Sequence, residues 1–512
     1  MENNWRYIAE QLISQNAEYQ PILREALRSR ADRLIPELTQ LFSTNNSTDS
    51  QKLSAANAIA DYAQDDRKML ADLITLADPS QFEVLFPLIS AGNTKGVIEE
   101  LAKVTARLPE DELSATDRIS FGQRRANAAV TLLRLGEPEK VLPVFDWTDD
   151  PEALTQFIFR CKPRGVGIET LLDLLDLVVG KGIKHVPRDT RYAILLAIGE
   201  YEPGSIANER REKLVSMLSD WYLNDTSSGV HGASGWLLRH LGEDEIAKRI
   251  DQTVVPYTPD REWFTLSVSV KPTNNPGTLE DTRFFYTFIV FPEGKFLIGS
   301  AVGQPDRRKN EPQHEVVLSR PYAILDRQVT FKELVAFSSM YSGFMSEYDA
   351  SLSDAGYGPD WYDSVAFCRW LGQEMGLAET DQCYADPETL DEKHYPRDPQ
   401  RTSFPRDWPL DLSRRGFRLP TESEWEVAAR NGSRTAYGYG SEVALLDRFG
   451  WFTENSGKKV HPGREKRPSV RGLFDLHGNL FEWTHDWNGD FGASPQTDPL
   501  GAKTGSGRVG RG

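Results

Sequence analysis

The stretch Gly472–Trp487 reads GLFDLHGNLFEWTHDW and places acidic side chains, bulky rings and two glycines close together. It is too rich in turn residues for a helix and too aromatic for an ordinary loop. Its carboxylates could bind a hard cation, which prefers oxygen ligands. They could equally accept backbone N–H bonds inside a tight turn. Both interpretations stay open, and core packing is the simpler role for Phe474, Phe481, Trp483 and Trp487.

Few other residues have the spacing that catalysis requires. The three cysteines are Cys161, Cys368 and Cys383, and none belongs to a CxxC pair. Cys368 falls on the inner face of a predicted helix and is interpreted as a buried apolar residue. The eight histidines form no HxxxH-type cluster, and His477 is expected to point to solvent. With no Walker loop, GxSxG elbow or kinase HRD or DFG motif, the residues present predict no catalytic and no cofactor-binding residue.

The size and charge of the chain limit its class. A chain of 512 residues exceeds one hydrophobic core, so we expect two or three domains. The net charge of −17 and the pI near 5.1 argue against a nucleic-acid partner, whose phosphates require a basic surface. The N-terminal residues lack a signal pattern, and no apolar run is long enough to span a membrane. Together with the unpaired cysteines, this predicts a reducing, cytoplasmic location and no membrane partner.

Residues 1–255 have the pattern of helices separated by short polar breaks. Helices rich in small residues recur in RRANAAVTLLRLG, TRYAILLAIG and VHGASGWLLRHLG, and each ends at a glycine, namely Gly136, Gly199 and Gly242. Small residues let neighbouring helices approach closely, and stacked helix pairs of this kind form α-solenoids. A plain helical bundle is the alternative. In both cases the pattern indicates a scaffold.

From about Arg261 the pattern changes to strands and turns. We assign residues 256–285 to a linker and the first strands, in which WFTLSVSV and RFFYTFIVF are strand-like and KPTNNPGTLED between them is a loop. Three convincing helices are predicted in the rest of the chain, with caps at Thr330, Asp360 and Thr421. The second of them is predicted to bury one face formed by Trp361, Val365, Cys368, Leu371 and Met375.

Ordered motifs in the second half resemble a known family. EGKFLIGS, EPQHEVVLSRPYAI, VTFKELVAF, WYDSVAFCRWLG, GFRLPTESEWEVAARNG, GLFDLHGNLFEW and RVGRG follow one another as in the formylglycine-generating enzyme family, also called sulfatase-modifying factor. The resemblance covers roughly residues 286–512 and implies a C-type-lectin-like α+β domain. The helical half resembles HEAT-like repeats, and more closely the helical segment beside this domain in planctomycete-type Ser/Thr kinases. The predicted fold class is therefore a multidomain chain with an all-α solenoid followed by an α+β domain.

The resemblance implies a structural calcium ion in the turn quoted first. Carried over by position, its ligands are the carboxylates of Asp475 and Glu482 and the backbone carbonyls of Gly478 and Leu480. Calcium accepts several oxygens in flexible geometry, and glycine permits the tight turn that directs carbonyls inward. The family more often has an asparagine at the position of Asp475. The stretch is not an EF-hand loop, because it lacks the alternating acids.

The oxidase chemistry of the family, which converts a substrate cysteine to formylglycine, has no counterpart among the residues present. It requires a pair of active-site cysteines that bind copper, and these follow the strand that RVGRG begins. The sequence ends at Gly512, inside this motif, so we expect an incomplete C-terminal domain and copper binding only if a continuation carries the cysteines. The remaining cysteines do not replace them.

Three functions remain open. The first is a non-catalytic binding or scaffold protein with a calcium-stabilised C-terminal domain and a protein or peptide partner. The second is a formylglycine-generating oxidase whose catalytic C-terminus is missing. The third is the C-terminal regulatory part of a Ser/Thr kinase. Sequence on either side of this chain would distinguish them, since downstream cysteines favour the second and an upstream kinase domain the third.

Overall fold

The computed structural model describes residues 4–44, 46–110, 113–180, 183, 185–270, 282–301, 304, 307–308, 311–489, 492 and 494–512. The chain divides into two compact units: Met1–Asn208 with Tyr439–Ser441, and Glu209–Gly438 with Glu442–Gly512. The change from helices to strands lies later, between Asp251 and Trp263. The second compact unit therefore includes helices that the sequence pattern groups with the first half, and the predicted domain limits remain predictions.

The regular structure described in the first unit is helical, which confirms the all-α prediction. Capping boxes start two of the helices, at Thr48 with Gln51 and at Asp78 with Gln81. The HEAT-like solenoid itself remains a prediction. The helices are α1 (Asn4–Ser14), α2 (Gln20–Leu27), α3 (Ala31–Ser43), α4 (Asp49–Tyr62), α5 (Arg67–Leu76), α6 (Pro79–Ser90), α7 (Lys95–Ala106), α8 (Ala115–Arg134), α9 (Glu152–Arg160), α10 (Ile168–Val179) and α11 (Thr190–Ile198).

Buried polar side chains bind the carbonyl groups at the ends of neighbouring helices in this unit. The last carbonyls of a helix have no partner within the helix itself. Asn127 of α8 donates from Nδ2 to the carbonyls of Thr75 (2.9 Å) and Ala77 (3.1 Å) at the end of α5. Gln81 of α6 donates to the Phe42 carbonyl at the end of α3, at 2.8 Å. Side chains of later helices thus complete the hydrogen bonding of earlier ones.

The second unit begins with three helices and continues as a mixture of strands and helices. The helices are α12 (Asn208–Asn224), α13 (Ser228–His240), α14 (Asp244–Asp251), α15 (Phe331–Phe337), α16 (Tyr341–Glu347), α17 (Trp361–Glu374), α18 (Glu422–Arg430) and α19 (Leu446–Phe449). The strands are β1 (Trp263–Val270), β2 (Thr282–Phe291), β3 (Gly294–Ile298), β4 (His314–Leu318), β5 (Tyr322–Leu325), β6 (Glu482–Trp487), β7 (Gln496–Thr497) and β8 (Arg508–Arg511). The α+β class of this half is confirmed.

Three small sheets form the frame of the second unit. The first has the antiparallel order β1-β2-β5, the second has β3 antiparallel and β7 parallel to β4, and the third pairs β6 with β8. A central cluster packs Trp263 and Ile289 of the first sheet against Trp425 and Ala428 of α18. The turn that follows Gly472 therefore lies on a frame held by apolar contacts.

Helix α13 packs directly against the backbone at Gly472. A Cβ placed at Gly232 would lie 2.8 Å from the Gly472 Cα, and one placed at Gly472 would lie 2.2 Å from the Ser228 carbonyl oxygen. Gly472 also has φ of 79°, which favours glycine. His231 of the same helix stacks on Trp263 with ring centroids 3.7 Å apart. The small residues of α13 thus serve close packing against a neighbouring helix, as predicted, since a Cβ at Gly235 would lie 2.5 Å from the Tyr222 ring of α12, and they also pack against the α+β part of the chain.

A buried ionic cluster connects α12, α13 and α14 to the end of strand β5. Arg464 donates to Asp251 of α14 (3.1 Å) and to Asp326 (2.6 Å), and Arg239 of α13 donates to Asp251 (2.6 Å). Tyr222 of α12 also donates to Asp251. Breaking a buried ion pair leaves an uncompensated charge and is strongly destabilising. The stability of the second unit therefore depends on its contacts with α12, α13 and α14.

The three predicted helices of the second half are present with the predicted caps. Thr330, Asp360 and Thr421 each form a capping box. The predicted inner face of α17 is correct at its first four positions, but Met375 lies beyond the helix and is 38% exposed. The short helices α16 and α19 were not predicted. The predicted loop at 271–281 lies outside the described residues.

Candidate functional site

The turn Asp475–Glu482 is held by residues in left-handed conformations. Asp475 (φ 57°), Gly478 (φ 108°) and Asn479 (φ 61°) all have positive φ. A Cβ at Gly478 would lie 2.0 Å from the Trp451 carbonyl oxygen, so only glycine fits there. Asn479 donates from its backbone N–H to that same oxygen at 2.8 Å. These conformations turn successive carbonyls of this segment towards the interior.

Three of the predicted ligand oxygens converge on one side chain. The amide nitrogen Nε2 of Gln328 lies 3.3 Å from the Gly478 oxygen, 2.8 Å from the Leu480 oxygen and 3.0 Å from Oε1 of Glu482. An amide nitrogen carries two hydrogens. Three acceptors therefore exceed the hydrogen-bonding capacity of the group that they surround.

Asp475, the fourth predicted ligand, is buried with one oxygen unpaired. Its Oδ2 accepts the backbone N–H of Arg464 at 3.1 Å, whereas Oδ1 has no hydrogen-bond partner among the described residues. Burial raises the pKa of Asp475 to about 7, and the negative charge of Glu482 adds to the shift. Ionised Asp475 is thus stabilised by a single backbone hydrogen bond, and its Oδ1 has no partner among the described residues.

Glu482 is the second acidic group of the turn. Its Oε2 accepts the indole N–H of Trp425 at 2.8 Å, which fixes the carboxylate between α18 and Gln328. Burial raises its pKa, and the hydrogen bonds from Gln328 and Trp425 act in the opposite direction. The turn therefore holds a buried carboxylate, Asp475, and a partly buried one, Glu482, each of which would be stabilised in its ionised form by a cation.

The donor set fits a calcium ion. It consists of two carboxylates and two carbonyls, the hard oxygen ligands that calcium prefers. Gln328 adds an amide oxygen, Oε1, which is buried and has no partner among the described residues. Since two of the predicted ligands are backbone carbonyls, the turn contributes only two acidic side chains. Accordingly, the described residues contain no group of three or more His, Cys, Asp or Glu side chains that could hold a metal.

Gln328 is the residue that sequence reasoning missed at this site. It lies two residues before the cap of α15, far along the chain from Asp475, and the sequence pattern around it indicates only an approach to a helix. Nothing in the local pattern relates it to the turn. A buried amide close to a cap is a weak signal, and only the fold brings the two segments together.

Two expectations for the turn are wrong. Phe481, interpreted as a core residue, is 81% exposed, whereas Phe474 is buried as predicted. His477, expected to point to solvent, packs edge-on against Tyr437 with ring centroids 5.4 Å apart. Burial lowers the pKa of His477 to about 4, so the ring is neutral near pH 7.

The three thiols are buried and unpaired. Cys368 is 9% exposed, as predicted for an inner helix face, and Cys383 is 2% exposed. Burial raises the pKa of Cys368 to about 12 and also raises that of Cys383. Thiolates are the reactive and copper-binding form of cysteine, and these environments disfavour it.

The site and fold define a class: an α+β domain with little regular secondary structure, organised around an oxygen-rich turn. Residues 278–512 match the model of the "Sulfatase-modifying factor enzyme 1-like domain" family. The C-terminal part of the chain therefore carries a domain of this family, which confirms the resemblance.

Similar proteins include formylglycine-generating enzymes and serine/threonine-protein kinases. The "Formylglycine-generating enzyme" of Streptomyces coelicolor is 28% identical over 46% of this chain and 81% of its own length. The "Serine/threonine-protein kinase pkn1" of Chlamydia pneumoniae is 37% identical, but the match covers 19% of this chain and 16% of the kinase. Among solved structures, "Treponema denticola variable protein 1" matches 48% of this chain and 87% of its own, with 27% identity and a TM-score of 0.38. In the described part of the chain, no helix is both long and apolar enough to cross a membrane.

Proposed function

We propose that the C-terminal domain is a non-catalytic binding module in which a calcium ion fixes the turn Asp475–Glu482. The convergence of three oxygens on the Gln328 amide nitrogen carries the calcium proposal. A cation at this position would be bound by all three oxygens at once, whereas the amide can donate to only two. The unpaired Oδ1 of Asp475 supplies a further carboxylate oxygen.

Gln328 would take a second role when calcium is bound. A rotation of its carboxamide would direct Oε1, instead of Nε2, towards the oxygens of Gly478, Leu480 and Glu482. The amide oxygen would then act as a further ligand. Calcium commonly has six to eight oxygen ligands, so this addition suits the ion better than four protein groups alone.

The binding role is supported by the surface of the same turn. Phe481 is 81% exposed and lies beside Leu480, whose carbonyl accepts a hydrogen bond from Gln328. Exposed aromatic residues on a rigid support are typical of protein and peptide contacts. Calcium would stabilise the conformation that presents this ring. The proposed partner is a protein or peptide, and the buried, unpaired thiols favour a reducing, cytoplasmic setting.

Calcium binding is tested by thermal unfolding of the full chain, followed by tryptophan fluorescence, with excess calcium or with EGTA. A ligand that binds only the folded state at one hundred times its Kd stabilises it by about 2.7 kcal/mol. We expect calcium to raise the Tm of the wild type and not that of Glu482→Gln or Asp475→Ala. Glu293→Gln is the matched control, because Glu293 is exposed on the turn between β2 and β3. Equal Tm values of the wild type in both buffers would refute the proposal.

The oxidase alternative is favoured by one observation, the 81% coverage of the Streptomyces coelicolor enzyme. It is tested by incubating the protein with copper, oxygen and a cysteine-containing sulfatase peptide, followed by mass spectrometry. We expect no aldehyde product above a heat-inactivated control. Copper-dependent aldehyde formation would establish the oxidase and exclude a purely non-catalytic module. The kinase alternative has weaker support, because the match covers only 16% of that protein.

A further inference from the structure

The second unit contains a cleft of about 990 Å³ whose lining includes none of the proposed calcium ligands, although its wall at Arg464 adjoins Asp475. Its walls come from α13 and α14, from the start of β2, from α15 and from the segment 462–465. Sites for small molecules commonly have volumes of about 300–1,000 Å³. The cleft is therefore large enough for a small-molecule ligand.

Most charged groups of the cleft are paired with one another. Arg239 binds Asp251 at 2.6 Å, and Arg327 binds Glu333 at 2.8 Å. The guanidinium of Arg464 is neutralised by Asp326 and Asp251. Lys248 pairs with exposed Glu245 at 2.9 Å, and exposed pairs of this type contribute little. These groups make the cleft polar but leave little charge for a ligand.

Arg283 and Lys332 differ from these groups because they have no acidic partner. Arg283 donates to the Ser267 hydroxyl at 2.7 Å, and the Lys332 ammonium lies 5.6 Å from the ring centroid of Phe284. Among the described residues, no carboxylate lies within 4.0 Å of either cation, and both side chains are exposed. Lys332 is further fixed by its backbone N–H, which donates to the Leu352 carbonyl at 2.9 Å.

The acidic residues of the lining that remain are Asp244 and Glu465. Glu465 faces the imidazole of His461 at 3.8 Å, and it forms no ion pair within 4.0 Å with either cation among the described residues. Arginine presents a planar fork that binds phosphate or carboxylate oxygens in pairs, and lysine adds a point charge. The chain has a net charge of −17, so its overall electrostatic potential is negative. Two cations without an acidic partner in one cleft differ in sign from this potential.

We propose that this cleft binds a small polyanion whose phosphate or carboxylate groups contact Arg283 and Lys332. The Lys332 ammonium lies 5.6 Å from the ring centroid of Phe284, the residue next to Arg283 in β2, and both cations line the cleft, so a ligand with two linked oxyanions could contact both. Trp236 and His240, stacked with ring centroids 5.3 Å apart, add an aromatic part to the lining of the cleft. They leave room for an apolar or planar portion of the ligand.

The test uses pyrophosphate and citrate as probes of phosphate and carboxylate chemistry. Each is titrated calorimetrically into the full chain in a buffer with EGTA, so that the calcium site does not contribute. We expect one of the two to bind, and Arg283→Gln and Lys332→Gln each to weaken binding about tenfold, as for the loss of one charge-assisted hydrogen bond. Lys393→Gln is the matched control, since Lys393 is exposed and lies outside the cleft.

The outcomes are distinct. Stronger binding of pyrophosphate assigns a phosphate ligand, and stronger binding of citrate assigns a carboxylate ligand. Absence of binding of both probes to the wild type overturns the proposal, as does equal weakening in the Lys393 control. The Tm of each variant is also measured without ligand. If it equals that of the wild type, the loss of binding results from the change in the cleft and not from unfolding.

Discussion

Replacing Gly232 by alanine should destabilise the second unit, although alanine is the better helix former. In a helix interior, replacing glycine by alanine increases the free energy of unfolding by about 1 kcal/mol through helix propensity alone. At Gly232, however, the new Cβ would lie 2.8 Å from the Gly472 Cα and 3.3 Å from its carbonyl oxygen. Backbone on both sides cannot yield as a flexible side chain would. Overpacking costs roughly 1–3 kcal/mol, and we expect the upper end here.

The net loss is then about 2 kcal/mol, which lowers the Tm of a large domain by about 4 °C. Tryptophan fluorescence reports this unit selectively, because of the twelve tryptophans only Trp5 and Trp147 lie in the first unit. Gly343→Ala in α16 is the matched control, since apart from its chain neighbours and the backbone of its own helix no described atom lies within 4 Å of a Cβ at that position. It should leave the Tm unchanged or raise it slightly.

A Gly232→Ala protein as stable as the wild type would show that α13 is not in backbone contact with the turn at Gly472. The buried ionic cluster around Asp251 would then be the contact that attaches α12–α14 to the rest of the second unit. Gly472→Ala provides a second measurement. It combines positive φ with a 2.2 Å approach to the Ser228 carbonyl, so its loss of stability should exceed that of Gly232→Ala.

Three further predictions address other parts of the chain. Asn127→Ala should destabilise the first unit by about 2 kcal/mol in urea unfolding followed by circular dichroism, because the Thr75 carbonyl loses its buried side-chain donor and Arg160 loses its acceptor, whereas the Ala77 carbonyl keeps the Arg164 N–H; an unchanged midpoint would contradict this. Arg508→Ala should cost about 2 kcal/mol or more and shift tryptophan emission to the red, because its guanidinium lies 3.8 and 3.7 Å from two tryptophan ring centroids; unaltered emission and Tm would argue against it. Without calcium, the contribution of Asp475 to stability should fall as pH rises from about 4 to about 7, because its pKa is raised to about 7 in the folded state and the folded protein binds the extra proton; the difference in the free energy of unfolding between the wild type and Asp475→Asn should therefore decrease over this range, and a difference that does not change with pH would exclude this role of Asp475.

Local features of the second half could be predicted from sequence because their causes are local. The caps Thr330, Asp360 and Thr421 each act on a residue three positions later, so the capping boxes follow from the sequence itself. Similarly, the alternation in WFTLSVSV is a property of one strand. The three helix starts and the first two strands were therefore predicted at or near their observed positions.

Features that depend on distant segments could not be predicted in the same way. The small residues of α13 indicated close packing, but nothing in the sequence names Gly472 as the partner of Gly232. Gln328 enters the oxygen-rich turn only because β5 leads it there. The exposure of Phe481 depends on which elements cover the turn. Residue types and spacing predict the local structure and chemistry of a segment, whereas the fold determines which distant residues it contacts.

The polar side chains that bind helix ends in the first unit limit how this part of the chain can change in evolution or by design. Each donor and its acceptor belong to different helices, as with Asn127 of α8 and the end of α5. Repeat arrays held by apolar contacts alone tolerate the gain or loss of whole units. Here, excising α5 and α6 would remove the acceptors of Asn127 and the donor, Gln81, of the Phe42 carbonyl. Changes in length should therefore be found at the ends of the helical array and not in its interior.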